Sequence, residues 1–229
     1  MPVTGNNTPD TISVQVSLDG FCFRTTGEES FSSPWLGTEK VFTTKEFRRQ
    51  YDVVEIALMT PKVALVPEIF FEASEARKAL SEVCAIRDTD KVGTVEVPAY
   101  GAVLVYSNSI DESLSRVISQ TVFLKDGTSV SVLPEMYYLL RDVQGLEGHN
   151  KIAASYRDGH LYLAIAQGDV LKLCNVYEAV DFTTAEYFIF LALKELQLNP
   201  EVSSIAFRTP LGEEERLSLY RYFKSVEQL

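Results

Sequence analysis

The stretch Ser13-Val14-Gln15-Val16-Ser17-Leu18-Asp19-Gly20-Phe21-Cys22-Phe23-Arg24 alternates apolar and polar residues up to an Asp-Gly pair and then runs back through apolar residues. A strand, a tight turn and a returning strand have this pattern, because side chains alternate across a strand and Asp-Gly suits a hairpin corner. The chain repeats it: residues 151–156 lead to Asp158-Gly159 and return through residues 161–166. A second landmark also recurs, since Phe42-Thr43-Thr44-Lys45-Glu46 comes back as Phe182-Thr183-Thr184-Ala185-Glu186. The separation is 139 positions from Asp19 to Asp158 and 140 from Phe42 to Phe182. Two unlike landmarks that keep one spacing indicate a single structural unit used twice.

In each copy the pentapeptide has the spacing of a capping box, in which a Thr hydroxyl accepts from the amide three residues on and the Glu reaches back. It predicts helices starting at Thr43 and Thr183. The first half is otherwise read as a polar lead-in over 1–10, a Gly/Ser-rich connection over 27–37, a strand over 40–42 and strands over 53–58 and 63–66, parted by Thr60-Pro61. Pro67 then suits a first helical turn, with Ile69, Phe70, Ala73, Ala76, Leu80 and Val83 at helical spacing for a buried stripe. A hairpin over 92–97 and 102–106, a helix over 111–120, a strand over 122–124, the turn Asp126-Gly127 and a helix after Pro134 complete this half.

The second copy reads as a meander of strands over 151–156, 161–166 and 170–176, turned at Asp158-Gly159 and Gly168-Asp169. A helix over 187–196, apolar nearly all round, a strand over 204–207 and a last helix follow; Glu213, Glu214 and Glu215 suit the last helix's N-terminal dipole, and Leu219, Phe223 and Val226 its buried face. The segment 142–150, with Gly145 and Gly148, is the expected boundary, dividing the chain into domains 11–145 and 146–229. Each half is then a β-meander, helix, strand, helix, and the fold class is α/β.

With 229 residues and 46% hydrophobic content, the chain can bury a sizeable core. Its 32 acidic against 21 basic residues, a net charge of −11, repel phosphate backbones and anionic lipid, so nucleic acid is not an expected partner. Cys22, Cys84 and Cys174 lie far apart, which suggests reduced core thiols rather than disulfides or a zinc pair. Neither a signal-peptide pattern nor an apolar run of membrane-spanning length is present, so the expectation is a cytoplasmic protein without membrane insertion.

The doubled order resembles the ribonuclease H-like fold as duplicated in the actin-like ATPases, a superfamily of sugar kinases, chaperones and pilus or secretion assembly proteins. The phrases Val16-Ser17-Leu18-Asp19-Gly20-Phe21, Pro61-Lys62 with Leu65-Val66-Pro67-Glu68, and Tyr100-Gly101-Ala102-Val103-Leu104-Val105 resemble an uncharacterised bacterial family assigned to that superfamily. The resemblance runs from residue 12 to the C-terminus and implies two ribonuclease H-like lobes arranged as in actin-like ATPases. It also implies ATP held with Mg²⁺ between the lobes, its phosphates on the first hairpin of each lobe. By position, Asp19, Gly20, Asp158 and Gly159 are the cofactor-binding candidates. The sequence departs from the pattern of active members, which have Asp-x-Gly followed by Ser or Thr. Here stand Asp19-Gly20-Phe21-Cys22 and Asp158-Gly159-His160-Leu161, and no apolar-Gly-Gly run suits adenosine.

Turn geometry alone accounts for Asp-Gly at either corner, and capping for Glu46 and Glu186. His149 and His160 carry no nucleophile signature, and no Walker-type phosphate loop exists, so neither catalytic residues nor metal ligands are assigned. Lys45, Arg48 and Arg49 read as a solvated helix face. Two functions are carried forward. One is a non-catalytic interaction or assembly protein that needs no cofactor and binds another cytoplasmic protein or itself. The other is an ATP/Mg²⁺-dependent switch or phosphotransferase.

Overall fold

The computed structural model describes residues 9–27, 30–109 and 112–229. In chain order it contains β1 (Thr11–Ser17), β2 (Gly20–Thr26), β3 (Phe31–Ser32), β4 (Leu36–Gly37), β5 (Gln50–Tyr51), β6 (Val53–Leu58), β7 (Val63–Pro67), α1 (Ala76–Val83), β8 (Val92–Val97), β9 (Ala102–Ser107), α2 (Glu112–Ser119), β10 (Phe123–Leu124), β11 (Val132–Pro134) and α3 (Glu135–Gly145). The remaining elements are β12 (Asn150–Arg157), β13 (His160–Gln167), β14 (Val170–Glu178), α4 (Phe182–Glu195), β15 (Ser204–Phe207), α5 (Glu213–Tyr220) and β16 (Ser225–Gln228). Most of the expected lead-in, residues 28–29 of the connection and the first residue of the helix expected at 111 lie outside the described residues. Two compact units form: Met1–Leu58 with Asp111–Leu133, and Met59–Ile110 with Pro134–Leu229.

In the first unit the sheet runs β11-β6-β1-β2-β3, with β4 also on β2. β1 is antiparallel to β2 and parallel to β6. Ile12, Val14 and Val16 place alternate side chains of β1 in the core with Phe21, Phe47 and Ile118. The rings of Phe21 and Phe23 meet Phe47 at 5.1 and 5.6 Å between centroids. Each such fully buried side chain contributes about 1.5–3 kcal/mol of transfer free energy.

The second unit repeats the plan with longer strands. Its main sheet runs β14-β13-β12-β15-β16, with β12 antiparallel to β13 and parallel to β15. With β3 and β4 counted together as the third position, both sheets read third, second, first, fourth, fifth. α4 is apolar nearly all round because it is covered twice. Ala185, Ile189 and Leu193 enter the core with Ile152, Leu163 and Phe207, while Phe190 meets the Tyr222 and Phe223 rings at 4.9 and 5.8 Å. After β6 the chain leaves the first sheet, and residues 63–107 build a separate antiparallel sheet, β7-β9-β8, packed on α1 through Ala64, Leu80 and Val105.

Several local expectations are corrected. The helix expected from Thr43 is a 3₁₀ turn at Glu46–Arg48, because the Thr43 and Thr44 hydroxyls donate to the Lys40 carbonyl at 3.1 and 2.9 Å and hold a tight turn instead of capping. Residues 38–40 are also a 3₁₀ turn, and β3 and β4 take the third-strand position. The helix expected from Pro67 breaks into 3₁₀ turns at Glu68–Phe70 and Ala73–Glu75 before α1, which leaves Ile69 and Phe70 exposed. In the second copy Asp181, not Thr183, caps α4 by accepting from the Thr184 amide at 2.7 Å. The last helix stops at Tyr220, and Val226 lies in β16, paired in parallel with Ile205 of β15.

Candidate functional site

The two predicted phosphate corners are built differently. In the first, Ser17 pairs with Gly20, so the corner is Leu18-Asp19 and Gly20 already belongs to β2. The expected left-handed Asp19 is absent, since Asp158 and Gln197 are the non-glycine residues with positive φ among the described residues. The Ser17 hydroxyl donates to Asp19 Oδ1 at 2.7 Å. Gly20 is required for clearance: φ is 157°, and a side chain there would run into the Leu36 carbonyl of β4.

In the second corner Arg157 pairs with His160, so Asp158 and Gly159 are the central residues, with φ of 50° and 69°. These are the left-handed conformations of a type I′ turn. The Asp158 carboxylate pairs with Arg157 Nε at 3.0 Å, and its carbonyl meets His160 Nδ1 at 2.7 Å. The corners themselves, 18–19 and 158–159, are therefore 140 positions apart, the spacing of the pentapeptides. Gly20 and Gly159 are not equivalent; Gly159 stands where the first copy has Asp19. Phe21 and Leu161, each the second residue of its returning strand, are fully buried and offer no hydroxyl.

A third repeated landmark escaped the sequence reading. Two residues beyond the fourth strand of each copy stands a Thr-Pro whose threonine is buried: Thr60-Pro61 after β6 and Thr209-Pro210 after β15. Thr209 Oγ1 accepts from the Tyr156 amide at 2.9 Å, tying the strand end to β12. The spacing hid it. Thr44 to Thr60 is 16 positions and Thr184 to Thr209 is 25, because the second copy builds the 14-residue α4 where the first has a three-residue turn.

A fully buried ionic group lies in the second unit. Glu135, the first residue of α3, is fully buried; its Oε1 accepts from Ser155 Oγ at 2.6 Å and from Arg208 Nε at 3.2 Å. Arg208 Nη1 also donates to Asp142, and its guanidinium lies 4.9 Å from the Tyr138 ring centre. The helix N-terminus and the guanidinium both favour the Glu135 carboxylate. Burial, then the charges of Glu135 and Asp158, push the Tyr162 hydroxyl well above its ordinary range. Ser155 and Glu135 are both 0% exposed, and the group joins α3 to the ends of β12 and β15. Residues 73 positions apart give no local signal of such pairing.

Among the described residues, no group of three or more His, Cys, Asp or Glu is placed to share a metal ion. Cys22, Cys84 and Cys174 form no disulfide, and burial pushes the Cys174 thiol up to about 12, which keeps it protonated. No described helix is long and apolar enough to cross a membrane. The donors that a triphosphate clamp requires, amides in a loop followed by a hydroxyl, do not fit these corners.

A family model described as a protein of unknown function, DUF3822, matches residues 6–226. The chain belongs to the DUF3822 family. No functionally curated protein matches it. This DUF3822 chain is similar to a Bacteroides thetaiotaomicron VPI-5482 protein of actin-like ATPase fold and unknown function, with a TM-score of 0.64 at 19% identity, covering 100% of this chain and 94% of that one. It is similar to the cytoplasmic domain of EpsL, an inner-membrane component of the type II secretion system of Vibrio cholerae, with a TM-score of 0.50 at 14% identity over 89% of this chain and 84% of that one. The PilM-PilN type IV pilus biogenesis complex contains a further similar chain, with a TM-score of 0.52 at 12% identity over 96% of this chain and 88% of that one. At these identities the likeness establishes the fold, that of the actin-like ATPases, in agreement with the two matching strand orders.

Proposed function

We propose that this DUF3822 protein is a non-catalytic cytoplasmic interaction or assembly protein, working through another protein or a further copy of itself. The observation that carries this reading is the first corner, where Gly20 lies inside β2 beneath the Leu36 carbonyl and Asp19 is tied to Ser17. A glycine held in a ladder pair serves the close approach of β4, not the approach of a phosphate. At the second corner the Asp158 carboxylate would repel a polyanion, and it engages the neighbouring cation, Arg157. Two similar chains come from secretion and pilus assemblies, which supports a role in holding partners.

The alternative, an ATP/Mg²⁺-dependent switch or phosphotransferase, has the fold in its favour. Calorimetric titration with ATP and Mg²⁺ separates the two. The interaction reading expects no saturable heat at millimolar nucleotide. Micromolar binding that disappears in Asp19→Ala or Asp158→Ala would overturn it.

A further inference from the structure

The two covers of α4 leave a third face of the helix open. Thr183, Tyr187, Phe190 and Lys194 follow one another at steps of four, three and four residues, the spacing that sets side chains in one seam along a helix. Thr183, Tyr187 and Lys194 are exposed, Tyr187 at 60%, and Leu191 beside them is half-buried. Tyr187 meets the ring of Phe188 at 5.4 Å, and Phe188 stacks on Tyr177 of β14 at 4.8 Å. On the other flank Phe190 meets Tyr222, itself 49% exposed. An aromatic band thus runs across α4 from Tyr177 to Tyr222. Single exposed apolar residues are ordinary, whereas a contiguous aromatic strip has the composition of a protein contact.

The seam selects its occupant. Its four positions are symmetric about a point between Phe188 and Ile189: 187 and 190 lie equally far from it on either side, as do 183 and 194. A second α4 running antiparallel about a two-fold axis through that point sets Tyr187 against Phe190 of the other copy and Thr183 against its Lys194. The charges agree with this pairing. Lys194 comes to the N-terminal end of the other copy's helix, which Asp181 caps, and the other copy's Lys194 reaches Asp181 in return. A parallel pairing would set the two Lys194 side chains side by side. The net charge of −11 on each copy opposes association at long range, and salt screens it beyond about 8 Å at physiological ionic strength.

Resting on the interaction reading above, we infer that α4 is a self-association surface, through which two copies of this chain pair by antiparallel α4 helices across an isologous interface. With 14 residues α4 is about 21 Å long, so the contact buries less than the roughly 800 Å² a side of a standard interface. The dimer is accordingly weak and forms only as concentration rises.

Sedimentation equilibrium on the full chain tests it. In a series reaching about 0.1 mM, well above a micromolar dissociation constant, the mass should rise from 25.6 kDa toward twice that value. Tyr187→Glu changes an exposed position, so the circular dichroism spectrum should persist while association weakens at least about tenfold. Lys194→Asp, which would face Asp181 of the other copy, should weaken it similarly. For orientation, Thr183→Cys and Lys194→Cys chains mixed under mild oxidation should form a disulfide between unlike chains in preference to like ones. A constant mass of 25.6 kDa, unchanged association in folded Tyr187→Glu, or preferential crosslinking of like chains would each overturn the pairing. A chain that stays monomeric leaves the nucleotide titration untouched, whereas micromolar ATP binding there would remove the reading beneath it.

Discussion

Arg208 donates from Nε to Glu135 Oε1 at 3.2 Å with both side chains nearly sealed from solvent, at 7% and 0% exposure. Removing one partner of such a pair leaves a buried charge uncompensated, which costs about 3–5 kcal/mol, whereas well-packed apolar replacement of both is far milder. Arg208→Ala should lose stability towards that scale in urea unfolding, Glu135→Ala less because Asp142 still accepts from the Arg208 guanidinium, and Glu135→Leu with Arg208→Met should recover most of the larger loss. Additive losses in the double variant would contradict the pairing.

The two corner glycines should respond unequally to alanine. At Gly159 a Cβ has 3.7 Å to the Ala179 carbonyl, so Gly159→Ala meets only left-handed backbone strain of roughly 1–2 kcal/mol. At Gly20 the same change drives Cβ into the Leu36 carbonyl and must move backbone, with an expected cost above about 2 kcal/mol. Chemical denaturation of the two variants compares them directly; a milder effect at Gly20 would contradict the close crossing of β4.

Asp181, not Thr183, should be the cap of α4. Thr184 holds the Asp181 carboxyl below its ordinary range by donating from its amide and, less strongly, its hydroxyl. A depressed carboxylate contributes stability that is present above its unfolded value, near pH 4, and lost as pH falls through the folded value. Asp181→Ala should lower the urea midpoint at neutral pH with the difference shrinking below about pH 4, while Thr183→Ala should leave it unchanged. A drop with Thr183→Ala would restore the capping-box reading.

β16 should behave as core strand. Val226 is 3% exposed and pairs with Ile205, whereas Leu217 on α5 is 56% exposed. Val226→Ala should cost about 1–3 kcal/mol and Leu217→Ala less than about 0.5 kcal/mol. Slow hydrogen exchange at Glu227 and Leu229, whose amides face β15 (that of Leu229 donates to the Phe207 carbonyl at 2.8 Å), gives an independent check, and fast exchange there would count against the strand.

What the sequence revealed followed from periodicity and from repetition. The hairpins at β1-β2 and β12-β13, the β12-β13-β14 meander and the strand at 204–207 stand where alternation and turn residues put them. Short-range chemistry was less legible. Thr43 and Glu46 have capping spacing, but the Lys40 carbonyl competes for the Thr hydroxyls and wins. Phe223 and Val226 continue a helical period past Tyr220, where the chain turns to add a fifth strand paired with β15. At the corners the residue types were right and the frame was off by one in the first copy, because the need for glycine at position 20 comes from Leu36, a contact between strands and not a property of the turn. The Glu135-Arg208 group, built from residues far apart in the chain, left no local mark at all.

The most direct test is an experimental crystal structure grown with millimolar ATP and Mg²⁺. The account predicts a corner at Leu18-Asp19 with Gly20 paired to Ser17, a type I′ corner at Asp158-Gly159, and no nucleotide at either. A triphosphate within hydrogen-bonding reach of the Gly20 or Gly159 amide would contradict it.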